Sequence, residues 1–298
     1  MELSKRIVAY LMGSSCFKLS FWPISRFILV FLLILQICNF SESYAAYNRN
    51  LTVFADQNLM FPLIKIARIY SQKNNAVVSI SFIATAEEDK ILGEDFANNE
   101  DDIVSKIQAG EPVDLIISAN KNIINNLKQK GLLDYYNTGI FSAERLVIAT
   151  SVKNKINLSD NFHLALRQLN AMRASIIIDN EQNTAGQYAA DVLKQMRIGE
   201  LEIVHKLSED YETITKLISK NSDKYFLVLT SQVANNQNIK IIASSDFVVN
   251  YQALVVAGEN MKSAREFIKF LRTTKVEKIL KENNLLKINQ ENNVNSRQ

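Results

Sequence analysis

Residues 109–120 read Ala109-Gly110-Glu111-Pro112-Val113-Asp114-Leu115-Ile116-Ile117-Ser118-Ala119-Asn120. A helical segment stops at Gly110, which tolerates the left-handed backbone that often ends a helix. Pro112 blocks any continuation. Leu115, Ile116 and Ile117 form a short apolar run, the pattern of a strand buried on both faces. Ser118, Ala119 and Asn120 then lead into a helix predicted from about Asn120 to Lys130. Small or amide-bearing residues at a strand-to-helix turn let a ligand approach backbone N–H groups. In an open α/β sheet that crevice, at the carboxyl ends of the strands, is where ligands bind. The plain alternative is an ordinary turn, since helix N-termini without ligands are common.

Upstream, Leu51–Ala55 reads as a short apolar strand. A helix follows from about Leu59 to Gln72, with Leu59, Leu63, Ile66, Ala67 and Tyr70 on one face. Ala76–Phe82 is a second strand and Glu87–Ala109 is largely helical. The pattern is thus βαβαβα, which implies a parallel sheet with right-handed crossovers. Downstream, Arg145–Thr150 is an apolar strand that crosses into a second lobe. That lobe repeats the logic, with strands at Ala174–Ile178, Glu202–His205, Tyr225–Leu229 and Ile239–Ala243. Its helices are Gln187–Met196 and Asp210–Ser219. Phe247–Val256 reads as the return crossing, and helices Lys262–Arg272 and Lys275–Asn283 rejoin the first lobe. The expected architecture is α/β and two-lobed, with two crossing hinge strands and a ligand cleft between the lobes. Residues 47–144 with 257–289 form the first lobe, 145–256 the second, and 290–298 a frayed tail.

Composition fits this picture. The 298 residues are 47% apolar and 22% charged, which are globular values, and eight glycines with three prolines leave no room for long flexible linkers. The net charge of +3 leaves no strong electrostatic footprint for nucleic acid.

Residues 1–45 read as a secretory signal peptide. Lys5, Arg6, Lys18 and Arg26 make a basic leader, Phe27–Ile37 is apolar apart from Gln36, and Ser43-Tyr44-Ala45 puts small residues before a cleavage point near Ala45 or Ala46. An uncleaved anchor is the alternative, but the apolar run is short of the ~20 residues that a span needs. The leader is long, and Met12 is a second candidate start. Leu35-Gln36-Ile37-Cys38 has the outline of a lipoprotein site, except that Ile37 is large where a small residue is expected. Both cysteines, Cys16 and Cys38, fall in the leader, so the mature chain has no disulfide, thiolate nucleophile or cysteine metal site. It keeps 30 basic and 29 acidic residues, a net charge of +1. Export into a bacterial periplasm follows from this reading.

Gly-x-Pro-x-Asp followed by three apolar residues and Ser-Ala resembles the periplasmic molybdate-binding proteins of ABC importers. The resemblance covers most of Leu51 to about Leu286. It implies a type II periplasmic-binding fold and, as ligand, molybdate or a similar tetrahedral oxyanion held in the interlobe cleft without paired Lys or Arg. It also implies delivery to a membrane permease by a monomeric protein with no cofactor. Backbone N–H groups at helix N-termini and small hydroxyls would supply the field.

By that resemblance the ligand shell draws on five turns. In the first, Asn58 takes the place of a hydroxyl, a role compatible with capping the next helix. In the second, Thr85 matches a Ser or Thr that contacts the anion. In the third, Ala119 offers its backbone alone. In the fourth, Asn183-Thr184-Ala185-Gly186-Gln187-Tyr188 resembles a Pro-Ala-Gly-x-Tyr turn, with Thr184 where Pro is usual; Asn183 would supply a backbone contact, and Tyr188 belongs to the core. In the fifth, Leu229-Thr230-Ser231-Gln232 replaces a Tyr-Gly-Ser-Asp turn, so Leu229 and Ser231 are the candidates. Tyr251 matches a tyrosine of the returning strand.

Asp56 departs from the family, which generally has Ala in that slot. Facing the cleft, its carboxylate would repel a full dianion but accept a hydrogen bond from a protonated oxyanion or an organic ligand. Facing outward, it would sit in the first helical turn, where the dipole favours it. An inward Asp56 counts against molybdate and for another anion, such as phosphate, sulfate or a small organic anion.

An enzyme on the same fold is the remaining alternative. The sequence holds two histidines, His163 and His205, and lacks Gly-x-Ser-x-Gly, His-Glu-x-x-His, a P-loop and Gly-x-Gly-x-x-Gly. Relative to the family, about a dozen residues are added around Gly93 to Asp102. They are acidic and read as a solvated loop; the spacing of a calcium loop is missing.

Overall fold

A computed structural model describes residues 50–83, 99–134, 139–198, 202–205, 211–233 and 236–286. The leader, Thr85, Gly93 and the tail from 287 onward lie outside the described residues. Among the described residues, no helix is long and apolar enough to cross a membrane.

Among the described residues eight strands form one sheet: β1 (Leu51–Asp56), β2 (Val78–Ile83), β3 (Leu115–Ser118), β4 (Gly139–Ser151), β5 (Ser175–Ile178), β6 (Glu202–His205), β7 (Tyr225–Leu229) and β8 (Ile239–Val255). The order is β2-β1-β3-β8-β4-β7-β5-β6. At one end β2, β1 and β3 run parallel; at the other β7, β5 and β6 do. The long strands β4 and β8 join the two halves. They pair antiparallel to each other, while the end of β8 pairs with β3 and the end of β4 with β7. The α/β class, the two halves and the two crossing strands are as the sequence predicts.

Two boundaries differ. β4 begins at Gly139 instead of Arg145, because Ser142 and Glu144 are polar residues that the strand buries. The two runs read as separate strands, Ile239–Ala243 and Phe247–Val256, are one strand. Ser244-Ser245-Asp246 stays extended, and irregularities in the β4–β8 register absorb the mismatch.

Eight helices cover the sheet among the described residues: α1 (Met60–Asn74), α2 (Asn99–Gln108), α3 (Lys121–Gln129), α4 (Phe162–Ala171), α5 (Thr184–Gln195), α6 (Tyr211–Lys220), α7 (Met261–Leu271) and α8 (Thr274–Glu282). Strand side chains alternate between the two faces. Val53 and Ala55 of β1, Leu115 and Ile117 of β3, and Leu227 and Leu229 of β7 pack in the largest core, with α1, α4, α5, α7 and α8. Phe54 and Ile116 point the other way, against α2 and α3. Phe226 and Val228 do the same against α6. Burial on both faces is why these strands read as continuous apolar runs.

The stretch that decides the fold is built as its residues require. Gly110 has φ of 88°, and the N–H groups of Gly110 and Glu111 bond to the carbonyls of Ile107 and Lys106, which closes α2. The Asp114 carboxylate accepts the Thr52 N–H at 2.8 Å, and the Asp114 N–H donates to the Thr52 carbonyl. Asp114 thus fixes β3 beside β1. Asn120 caps α3, its side chain accepting the N–H groups of Asn122 and Ile123.

Candidate functional site

The carboxyl ends of β1, β3, β5 and β7 face a cleft. It is lined by Asp56, Gln57 and Asn58 after β1, by Asn120 after β3, by Asp179, Asn183 and Thr184 after β5, and by Ser231 and Gln232 after β7. Its volume of about 70 Å³ corresponds to roughly five water positions, enough for one small ligand. Among the described residues, no lysine or arginine lines it.

Asp56 points inward. It occupies the N-cap position of a short 3-10 turn, Gln57–Leu59, but makes no side-chain cap bond. Its carboxylate instead accepts three bonds. Ser118 Oγ donates to Oδ1 at 2.6 Å, while the Ala119 N–H at 2.9 Å and Thr184 Oγ1 at 2.8 Å donate to Oδ2. Ser118 and Ala119 belong to the β3 end and Thr184 to α5, so the bonds span both halves. The outward reading of Asp56 is therefore corrected: the hydroxyls and the N–H are inside, and the carboxylate follows them. Burial pushes its pKa up, opposed by the three donors, the Ala119 N–H first.

A second buried carboxylate, Glu144 of β4, lies deeper. It accepts the Ser231 N–H at 2.8 Å, Thr230 Oγ1 at 3.2 Å and a short bond from the Tyr251 hydroxyl. Burial raises its pKa as well, opposed by Tyr251 and then by the Ser231 N–H. The Tyr251 phenol is raised well above its ordinary value by burial, then by the charges of Glu144 and Asp56; a bond from Asn58 acts the other way.

Further bonds cross the cleft beside Asp56. Asn120 Nδ2 donates to the Gln182 carbonyl at 2.9 Å, and Gln187 Nε2 donates to Asn120 Oδ1 at 3.1 Å. Lys121 pairs with Asp191 of α5 and stands over the Tyr188 ring, 4.4 Å from its centroid. Gly186 permits the close approach of the β5–α5 turn. A Cβ there would lie 2.0 Å from the Asn180 carbonyl oxygen.

The predicted site residues fare unequally. Asn58 lines the cleft, but it lies within the 3-10 turn, and the cap position of α1 is Leu59; the capping role is corrected. Ala119 has its backbone N–H in place, given to Asp56. Asn183 lines the cleft, yet its N–H bonds to the Asn180 carbonyl inside the turn, so the backbone contact predicted for it is already used. Leu229 is buried and gives its N–H to Gln232 Oε1 at 2.9 Å, which removes it from the shell. Ser231 lines the cleft, and its buried hydroxyl has no hydrogen-bond partner of sound geometry among the described residues. Tyr188 packs against the main core, as read. Thr85 lies outside the described residues.

Three residues went unassigned in the sequence: Ser118, Thr184 as a donor, and Glu144. Glu144 carried a signal, a lone carboxylate inside the run Phe141–Thr150. No local signal pairs it with Tyr251, 107 positions away.

A sequence profile of bacterial extracellular solute-binding proteins matches residues 51–283. The chain is 24% identical over 257 residues to the molybdate-binding protein ModA of Haemophilus influenzae, covering 83% of this chain and 93% of that protein. Among solved structures it is similar to the periplasmic molybdate-binding protein of Azotobacter vinelandii, with a TM-score of 0.58, 17% identity, and 80% of this chain and 100% of the other covered. It is also similar to the structure described as the tungstate ABC transporter from Geobacter sulfurreducens, with a TM-score of 0.60, 14% identity, and 78% and 98% covered.

Proposed function

The chain belongs to the bacterial extracellular solute-binding proteins, and from that premise we propose that it is the binding component of an ABC importer. Its ligand is one small oxyanion of the molybdate and tungstate class, held in the cleft and delivered to a membrane permease. The observation that carries this reading is the donor set around Asp56. A hydroxyl and an N–H from one half and a hydroxyl from the other converge on a single carboxylate. Such a set is complementary to negatively charged oxygen. The Ser231 hydroxyl, near Glu144 but without a bond of sound geometry among the described residues, adds a donor in the same cleft. The relatives named for molybdate and tungstate support the ligand class.

In this reading residues 47–144 with 257–289 form one lobe and 145–256 the other. β4 and β8 act as the hinge, and closure over the ligand makes the surface that the permease recognises. Residues 1–45 direct export, and the protein acts in the periplasm as a monomer, without nucleic acid. Its role is binding, not turnover: both buried carboxylates serve as hydrogen-bond acceptors. A second reading keeps the fold and changes the anion to phosphate, sulfate or a small organic anion, and the inward Asp56 is the observation that favours it.

Thermal unfolding of the purified protein with molybdate, tungstate, sulfate and phosphate tests the reading. At 100 times its dissociation constant a ligand stabilises by ~2.7 kcal/mol, and each kcal/mol raises the melting point by about 2–4 °C at this size. A shift with molybdate and tungstate supports the first reading, and a shift with phosphate or sulfate alone supports the second. No shift with any of the four removes the first reading and, of the second, leaves only a small organic anion.

A further inference from the structure

We propose that Asp56 is a tethered occupant of the anion site, so that a dianion enters only with a proton that neutralises it. This rests on the oxyanion reading and adds a coupling to it. The carboxylate already does what an external oxyanion would do. It takes the Ala119 N–H and the Ser118 and Thr184 hydroxyls, and through them it ties β3 to α5 across the cleft.

An incoming oxyanion must share or take those donors. With Asp56 ionised, a dianion would add two charges beside a third. Among the described residues the cleft lining offers no cation against that charge. The titratable groups facing Asp56 are the Tyr188 phenol of α5 and the Tyr251 phenol of β8, whose pKa values its charge helps to raise. Beyond Tyr251 stands the Glu144 carboxyl of β4, and Asp179 after β5 lines the same cleft. Ser118, Ala119 and Thr184 are neutral, and among the described residues the lining has no lysine or arginine. One proton, held between the Asp56 carboxyl and the oxyanion, restores the balance. It turns one repelling oxygen pair into a donor–acceptor pair. Burial raises the Asp56 pKa, which eases that uptake.

The test is calorimetric titration of sulfate and molybdate into the wild type and two variants from pH 6 to 8, in two buffers of different ionisation heat. Asp56→Asn keeps the shape: its carbonyl oxygen can face Ala119 and Thr184 while its amide faces Ser118 Oγ. Asp56→Ala removes the occupant. The wild type is expected to take up about one proton per dianion, with affinity falling up to tenfold per pH unit. Both variants should bind with no proton uptake and at least tenfold more tightly at pH 8. Binding by the variants alone also supports the proposal. Wild-type affinity that is independent of pH and unchanged by either substitution overturns the coupling and leaves the oxyanion reading standing. Absence of binding by all three proteins, with phosphate and tungstate included, overturns the oxyanion reading itself.

Discussion

Replacing Gly186 with Ala tests how the second half presents its donor. The added Cβ would stand 2.0 Å from the Asn180 carbonyl oxygen, 2.3 Å from its carbon and 2.7 Å from the Asp179 carbonyl oxygen. All three atoms are backbone, so no side chain can rotate away. Relief requires the start of α5 or the Asp179–Asn183 turn to move by about 1 Å or more, since Cβ contacts under 3.0 Å are essentially never tolerated. Overpacking of this kind costs about 1–3 kcal/mol, or a fall of roughly 2–12 °C in melting temperature for a domain of this size. The same shift carries Thr184 away from its 2.8 Å bond to Asp56. Differential scanning calorimetry measures the first effect and oxyanion titration the second. A melting point within 1 °C of wild type, with unchanged binding, would refute the reasoning.

Three other predictions follow from the same geometry. Ser231→Ala deletes a buried hydroxyl that has no partner of sound geometry, so stability should hardly change while oxyanion affinity falls about tenfold or more, by loss of a bond to a charged group; equal affinity would count against Ser231 as a ligand donor. Asn120→Ala removes the cap of α3 and its contacts to Gln182 and Gln187, at a cost of about 1–2 kcal/mol, read as a lower melting point; an unchanged one would contradict the cap. Asp56 and Glu144 have pKa values raised in the folded state above their ordinary 3.8 and 4.5. Their contribution to stability is therefore fully present below those values and is lost as pH rises through the folded ones. Melts of the wild type against Asp56→Asn and Glu144→Gln over that window should show the decline flattened in the variants; parallel curves would show that neither carboxyl titrates as described.

Most of the fold could be read from the sequence because its buried strands are pure apolar runs. Leu115–Ile117 is bracketed by a helix stop and a helix cap, and three local signals agree there. Legibility failed where polar residues are buried. Ser142 and Glu144 hid the start of β4, and Ser244–Asp246 looked like the end of a strand that continues. Helix α4 went unread although Asn161 caps it and Phe162, Ala165, Leu166 and Leu169 form its apolar stripe. At the site, four of the five turns singled out by family likeness meet at one cleft, but their bonding was not legible. The direction of Asp56 depends on Ser118, Ala119 and Thr184, which lie 62 to 128 positions away. Asn183 and Leu229 lost their predicted roles because nearby groups, the Asn180 carbonyl and the Gln232 amide, already satisfy their N–H groups.

The central claim is that the cleft binds one oxyanion. Equilibrium dialysis of the purified protein against radiolabelled molybdate, at pH 6 and with unlabelled tungstate, sulfate and phosphate as competitors, tests it most directly. One molybdate per chain, displaced by tungstate and weakened by Ser231→Ala, is the predicted result. No retained label, with no binding of labelled sulfate or phosphate under the same conditions, would contradict it.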